Sequence, residues 1–479
     1  MPRSGKMTRR QFGRTVAATA AAVTILPRYV LGGAGFVAPS ETVNVAIVGC
    51  GGQGRTNARN LFQQNDARVI AVADPRERVD YSPFYYKGEA GRLPVKRMVE
   101  ERYLRDNKSF KCSDYVDFRE MLDKEKGIDA ILCATPDHWH AFVSMTAMRR
   151  GKHVYCEKPL THNIYEARLI AQAAAETGVA TQMGNQGRSS VSHAVACEWI
   201  WNGAIGDVRE VHAWSGGGGR IKGRGRPADT PPVPAGFDWN LWLGPKPDRP
   251  YHPDYAPYTW RGWWAFGTGA IGDMMVHNVD PAFASLELDQ RHPATVECAA
   301  TSFVDAEVIG PDNHVVWTFA AEGGRPPLVV HWYDGSQRPP RPAELEDGRR
   351  MGGGGNGVLI VGTKGTLMGG GWSESPRLIP ETRMQAYQEA TKGKTPPRTL
   401  PPTKGPHRDW LDACKGGRPA RSRFEYGARL TELILLGDVA VRAGEKIQWD
   451  GPAMKVTNVP AAQAFVRETY RSGWDLEKV

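Results

Sequence analysis

The sequence predicts an α/β protein built on a doubly wound parallel sheet, and three observations predict it. A β-branched apolar run at 43–48, VNVAIV, ends directly on Gly49-x-Gly51-x-x-Gly54. Strand-like and helical segments then alternate as far as residue 185, as a parallel sheet with crossover helices requires. The strand-like segments are short and nearly all apolar, which is the pattern of strands covered on both faces.

The elements follow in order. VNVAIV is the first strand, RTNARNLFQQ the first helix and ARVIAVAD the second strand, closing on Asp74 twenty residues past Gly54. GIDAILCATP, HWHAFVSMTAMRRG, KHVYCEKP, NIYEARLIAQAAAETG and VATQMGN continue as strand, helix, strand, helix and strand. A glycine turn between strand and helix, with an acidic residue closing the next strand, is the context a dinucleotide fingerprint demands. Gly49, Gly51, Gly52, Gln53 and Gly54 are the candidate pyrophosphate cradle, with the helix N-terminus facing the negative charge. Asp74 accepts from a ribose 2′-hydroxyl and repels a 2′-phosphate, favouring NAD, while Arg76 nearby softens that preference toward NADP. Ligands on such sheets sit beyond the carboxyl ends of the strands. Thr135, Pro136 and His140 in ATPDHWH, Glu157 and Lys158 in CEKP, and Asn185 all fall there.

After residue 206 the runs TVECAATSF, HVVWTFA and PLVVHWYDG alternate polar with apolar residues at strand period, between Gly/Pro loops. Between them lies a proline-rich segment, 237–264, with Trp239, Trp242, Trp260, Trp263 and Trp264. It lacks the period of a helix or strand and reads as a long ordered loop. Flat aromatic faces stack on the C–H faces of sugars, so Trp260, Arg261 and Trp263 are candidate contacts of a carbohydrate substrate.

Of the formal charge of +9, six units come from Arg3, Lys6, Arg9, Arg10, Arg14 and Arg28, ahead of the first acidic residue. Without them the chain carries +3, and RIKGRGR at 220–226 reads as a solvated loop, so no nucleic-acid partner is expected. Thr8-Arg9-Arg10-Gln11-Phe12 and the weakly apolar run to Leu26 match a twin-arginine export signal, too short to span a bilayer. The expectation is a soluble periplasmic or extracytoplasmic protein without a membrane anchor. The seven cysteines show no zinc spacing and no disulfide framework, and no metal is expected.

The early GxGxxG, Thr135-Pro136 with His140, Glu157-Lys158-Pro159 and GTGAIGDMMVHNVD at 267–280 resemble the Gfo/Idh/MocA (glucose–fructose oxidoreductase / inositol dehydrogenase) family in order and spacing. The resemblance implies an N-terminal Rossmann domain and a C-terminal α/β domain. The largely antiparallel sheet of the second domain roofs the nicotinamide and often mediates homo-oligomerisation. Expected boundaries are 1–38 for signal and linker, 39–185 for the first domain and 186–479 for the second.

The resemblance also places a catalytic lysine at Lys158 and an Asp/His pair at Asp273 and His277. Moving hydride from a secondary alcohol to nicotinamide needs a base for the hydroxyl proton and a cation for the oxyanion. His277, with an unperturbed pKa near neutrality, suits the first role, and Asp273 one helical turn earlier would support its imidazolium. Lys158 suits the second, and both Lys158 and His277 would touch substrate. Met275 replaces a glycine of the family pattern and is expected to narrow the pocket floor.

The expected function is an exported NAD-dependent oxidoreductase acting on a sugar, with a tightly held, recycled cofactor. NAD is scarce outside the cytoplasm, and a released NADH could not be replaced there. The alternatives are a redox-neutral glycosidase or lyase working through transient oxidation, and a non-catalytic sugar-binding protein.

Overall fold

The first sheet is parallel and six-stranded, and its topology places the site. The computed structural model describes residues 41–217, 223–392 and 400–479. The expected export signal at 1–38, and the start of the basic run at 220–226, lie outside those residues. The chain enters through β1 (Val43–Val48), α1 (Gly52–Leu61) and β2 (Ala67–Ala73). A small hairpin of β3 (Val79–Asp80) and β4 (Glu89–Ala90) precedes α2 (Arg92–Tyr103), β5 (Ser113–Tyr115) and α3 (Phe118–Lys124). Then come β6 (Ala130–Cys133), α4 (Asp137–Arg149), β7 (His153–Cys156), α5 (Ile164–Thr177) and β8 (Thr181–Met183). The order across the sheet is β5-β2-β1-β6-β7-β8. The connections therefore reverse direction between β1 and β6, and a crevice opens at that point.

The second sheet is nine-stranded and follows α6 (Val191–Trp201). Its strands are β9 (Val208–Ser215), β10 (Thr295–Thr301), β11 (Asn313–Phe319), β12 (Leu328–Asp334) and β13 (Asn356–Gly362). They continue with β14 (Gly365–Gly369), β15 (Arg377–Ile379), β16 (Ile447–Asp450) and β17 (Lys455–Val456). The order is β15-β14-β13-β9-β12-β11-β10-β16-β17, with β9 and β12 parallel and the other neighbours antiparallel. The alternation read in HVVWTFA holds: Val315, Trp317 and Phe319 point into the core, and His314 and Val316 lie on the other face.

Two helices late in the chain tie the sheets together. The 20-residue α8 (Phe424–Ala443) follows α7 (Pro406–Cys414) and packs within the core shared by both sheets. Gly437 lets α8 approach β11, since a Cβ there would stand 2.6 Å from the Trp317 ring. The Trp317 indole N–H donates to the Leu433 carbonyl (2.8 Å), and Arg168 on α5 pairs with Glu432 on α8. Helix α7 returns to the first sheet: Trp410 and Leu411 are fully buried with Val45, Ile47, Val69 and Tyr155, and His407 stacks on Tyr155 at 4.8 Å. Nothing in the alternating pattern of the first half signals this return.

Among the described residues no helix is long and apolar enough to cross a membrane. Removing the Trp410 side chain leaves a cavity against β1 and β7. Trp410→Ala is expected to lower unfolding free energy by about 3–5 kcal/mol in denaturant titration; a loss below about 1 kcal/mol would place α7 outside the cooperative core.

Candidate active site

A cavity of about 940 Å³ lies at the reversal point and is walled from both sheets. Its floor is the glycine turn. Gly49 has φ +89°, and a Cβ there would stand 2.6 Å from the Ala134 carbonyl carbon beyond β6. A Cβ on Gly52 would fall 2.1 Å from the Tyr86 ring, and one on Gly51 2.9 Å from the Tyr81 hydroxyl. Gly54 does not line the cavity; a Cβ there would stand 1.9 Å from the Gly49 carbonyl, so it serves helix–turn packing. Helix α1 starts without a side-chain cap; the Tyr81 hydroxyl meets the Gly52 N–H, and the remaining N–H groups of the first turn are the ones open to a ligand. These residues fit a dinucleotide.

Asp74 lies at the cavity wall. One carboxylate oxygen accepts from the Cys50 backbone N–H (2.6 Å) and the other from that of Arg76 (2.7 Å). Burial pushes its pKa up to about 6 against those two hydrogen bonds. The Arg76 guanidinium lies flat over Phe237, 4.5 Å from the ring centre.

The turn is also roofed, which sequence reading missed. Buried Arg55 on α1 donates to the carbonyls of Tyr86 (2.5 Å), Lys87 and Glu89 (2.5 Å), clamping the β3–β4 hairpin over the glycines. The Tyr86 hydroxyl donates to Gln53 (3.1 Å), and Phe84 stacks on Tyr258 at 5.1 Å. The aromatic run YSPFYY at 81–86 was the available signal.

Thr135, Pro136, His140, Glu157 and Lys158 all reach the cavity. His140 braces two of its walls: its ring nitrogens lie 2.7 Å from the Pro159 carbonyl and 3.0 Å from that of Thr135. Its proximity to Cys133 and Cys156 is therefore explained by packing of the turn rather than by a metal. Glu157 is buried and accepts from Asn57 (2.8 Å) and Gln53 (3.0 Å), which links α1 to the end of β7. Asn185 departs from expectation. It is buried outside the cavity, its amide drawn inward to the Asp280 carboxylate (3.2 Å), which Tyr426 also bonds.

Lys158, Asp273 and His277 meet in the cavity. The Lys158 ammonium donates to the Asp273 carboxylate and to the Asp273 carbonyl (2.9 Å), and the pair is about five-sixths buried. Arg261 approaches the same carboxylate at 3.8 Å and lies over the Trp260 ring at 4.1 Å. Residues Ile271–Met275 form a π turn before the α turn Val276–Asn278, so Asp273 and His277 do not sit on one regular helix face as expected. His277 is buried, with Nδ1 lacking a hydrogen-bond partner, and burial together with the Lys158 charge pushes its pKa down to about 3. The imidazole is neutral at neutral pH, but well below the near-neutral titration its residue type suggests. Met275 is fully buried in the core and Met274 lines the cavity instead, so Met275 does not narrow the floor.

The aromatic loop divides. Trp260 and Trp242 border the cavity, but Trp263 does not: its indole N–H donates to the Asp254 carbonyl (2.8 Å) and its ring packs on Tyr255 at 4.8 Å. The loop buries most of its aromatic rings against one another, including the stacked pair Trp239 and Trp242 at 4.8 Å. The exposed aromatic beside the imidazole is Trp372, 37% exposed, with its ring centre 5.7 Å from that of His277. Its backbone is left-handed (φ 55°, ψ 25°), and its N–H donates to Asn278 (3.3 Å).

The family described as an oxidoreductase family with an NAD-binding Rossmann fold (Gfo/Idh/MocA) matches residues 43–185, and its C-terminal α/β domain matches 220–326. The inositol 2-dehydrogenase of Rubrobacter xylanophilus is 29% identical over 177 residues, which are 36% of this chain and 44% of that protein. The scyllo-inositol 2-dehydrogenase (NAD(+)) of Bacillus subtilis is 31% identical over 169 residues, 34% of this chain and 42% of the relative. An α-N-acetylgalactosaminidase of Shewanella oneidensis is 26% identical over 146 residues, 30% of this chain and 28% of that enzyme. The chain thus spans less than half the length of each of these relatives. The WlbA dehydrogenase of Bordetella pertussis, solved with NADH and UDP-GlcNAcA, shares the fold, with a TM-score of 0.54 and 15% identity over 85% of this chain and 99% of its own.

The raised pKa of Asp74 gives a signed expectation. Below pH 6 the Asp74 carboxyl is protonated, which weakens it as the expected acceptor for ribose hydroxyls. Dinucleotide affinity measured by calorimetry is expected to fall as pH drops through 6, by up to about tenfold per unit. Asp74→Asn should flatten that dependence, and a flat wild-type profile would remove Asp74 from the contact.

Proposed function

Because the chain belongs to the Gfo/Idh/MocA oxidoreductase family, we propose that it is an NAD-dependent oxidoreductase acting on a secondary hydroxyl of a sugar or sugar derivative. One observation carries the reading: Lys158 from the first sheet and Asp273 and His277 from the second region converge in the cavity that the glycine turn opens into.

Bound NAD supplies the hydride acceptor. The substrate hydroxyl rests between Lys158 and His277. Lys158, fixed by the carboxylate and carbonyl of Asp273, has a remaining N–H to offer the alcohol oxygen and offsets charge developing there. His277 is neutral and so already in the proton-accepting form. Burial and Lys158 weaken it as a base, while the Asp273 and Asp280 carboxylates act in the opposite direction and favour its protonated state. Trp372 stands at the exposed side of His277, where a flat ring can take the C–H face of a sugar.

The Arg55 clamp, which holds the β3–β4 hairpin beside the glycine turn, supports a cofactor that stays in place. Retention in turn suits the expected export, which the basic N-terminal segment supports. The likeness to an α-N-acetylgalactosaminidase favours a second reading with the same residues: transient oxidation of a sugar, elimination of the glycosidic group and return of the hydride.

The test begins with the purified protein. Denaturing it is expected to release about one equivalent of NAD(H), and adding the right sugar to native protein should change the 340 nm absorbance. Lys158→Ala should slow that change by about 10²–10⁴-fold. Glycoside cleavage without net absorbance change would select the second reading. An empty polypeptide that also ignores added NAD would end both. Trp372→Ala is expected to raise KM for the sugar by about 2–10-fold, the loss of one stacking contact, with bound NAD unchanged; unaltered KM would remove the platform.

A further inference from the structure

Three of the twelve histidines lie together on three adjacent strands of the second sheet, and none of them lines the cavity. His212 on β9 and His331 on β12 are direct register partners, and Glu210 precedes His212 by two residues on the same face. His314 on β11 sits one diagonal step away. The His212 and His331 rings stack at 4.6 Å, and the Glu210 carboxylate lies 3.2 Å from Nε2 of His212. One donor atom from each of Glu210, His212 and His331 lies within 4.8 Å of the other two.

We propose that Glu210, His212 and His331 form a Zn²⁺ site on the outer face of the second sheet, with a fourth position open to water. Zinc bonds of about 2.0–2.1 Å place neighbouring donors about 3.3 Å apart in a tetrahedron. The Glu210–His212 contact already has that length; the third donor must move inward by up to about 1.5 Å, and the two imidazole planes, 6° apart, must turn so that their lone pairs converge. Two imidazoles with a carboxylate and an open position are a recurrent zinc donor set.

The neighbours orient these ligands. Nδ1 of His212 meets the Tyr333 hydroxyl at 3.2 Å, and Nδ1 of His331 meets Nε2 of His314 at 3.1 Å. Imidazole ligands are held in this way, one nitrogen fixed by a partner and the other left for the metal. A dication there would neutralise Glu210 and bridge two strands whose paired histidines are 119 residues apart.

Equilibrium dialysis of tag-free protein against Zn²⁺ after chelator treatment tests the site, with metal counted by mass spectrometry. One Zn²⁺ per chain is expected, together with a thermal midpoint that rises with added Zn²⁺. His212→Ala and His331→Ala should each weaken binding by at least about tenfold, and the double variant should lose both the metal and the midpoint shift. Circular dichroism and the bound-NAD content of the variants serve as folding controls. Wild type that binds no more Zn²⁺ than a correctly folded double variant would overturn the assignment.

Discussion

The ion pair between Lys158 and Asp273 is the contact on which the rest of the site depends. Lys158 stands just past the end of β7, and Asp273 stands on a π turn more than a hundred residues later. Both are largely withdrawn from water, so each charge needs the other; removing one partner of such a pair costs about 3–5 kcal/mol. The pair fixes where the ammonium can point, and the Lys158 charge depresses the protonation of His277 while the Asp273 carboxylate opposes it. Its cost in desolvation makes sense only where a directed positive charge is useful.

Around that contact the molecule divides its work by rigidity. Strand ends and helix starts carry the groups that need fixed positions: the glycine turn, Asp74, Thr135, Lys158 and His277. Loops carry the groups that shape entry: the clamped hairpin with Tyr86, the Trp260–Arg261 turn and the glycine-bordered Trp372. Elements define geometry well and loops vary readily, so the first set is held more rigidly than the second.

Much of the first sheet was legible because fully buried strands leave short apolar runs and the fingerprint joins glycines to an acidic residue at fixed spacing. Lys158, Asp273 and His277 were legible as a family pattern, and the structure brings them together. What pattern could not supply was direction. Trp263 and Trp260 look alike in the sequence, yet one faces Tyr255 and the other the cavity. Asn185 lies two residues past the last strand of the first sheet, at its carboxyl end as expected, but turns toward Asp280, a partner 95 residues away. His277 was assigned a pKa from its residue type, which burial and a neighbouring cation override. Trp372 is a single residue after a run of glycines, with no periodicity to mark it.

Helix α7 has a consequence for how the protein comes into being. The face of the first sheet that bears Val45, Ile47 and Tyr155 is covered by α1 and α2 and completed by Trp410 and Leu411, some 250 to 370 positions further along the chain. During vectorial synthesis that nucleotide-binding half emerges early, but the part of its apolar side beside Tyr155 is not closed until Trp410 leaves the ribosome. Its completion is a late, long-range event, slow in the sense that contacts distant in sequence are slow, and its nascent form is a natural client for chaperones.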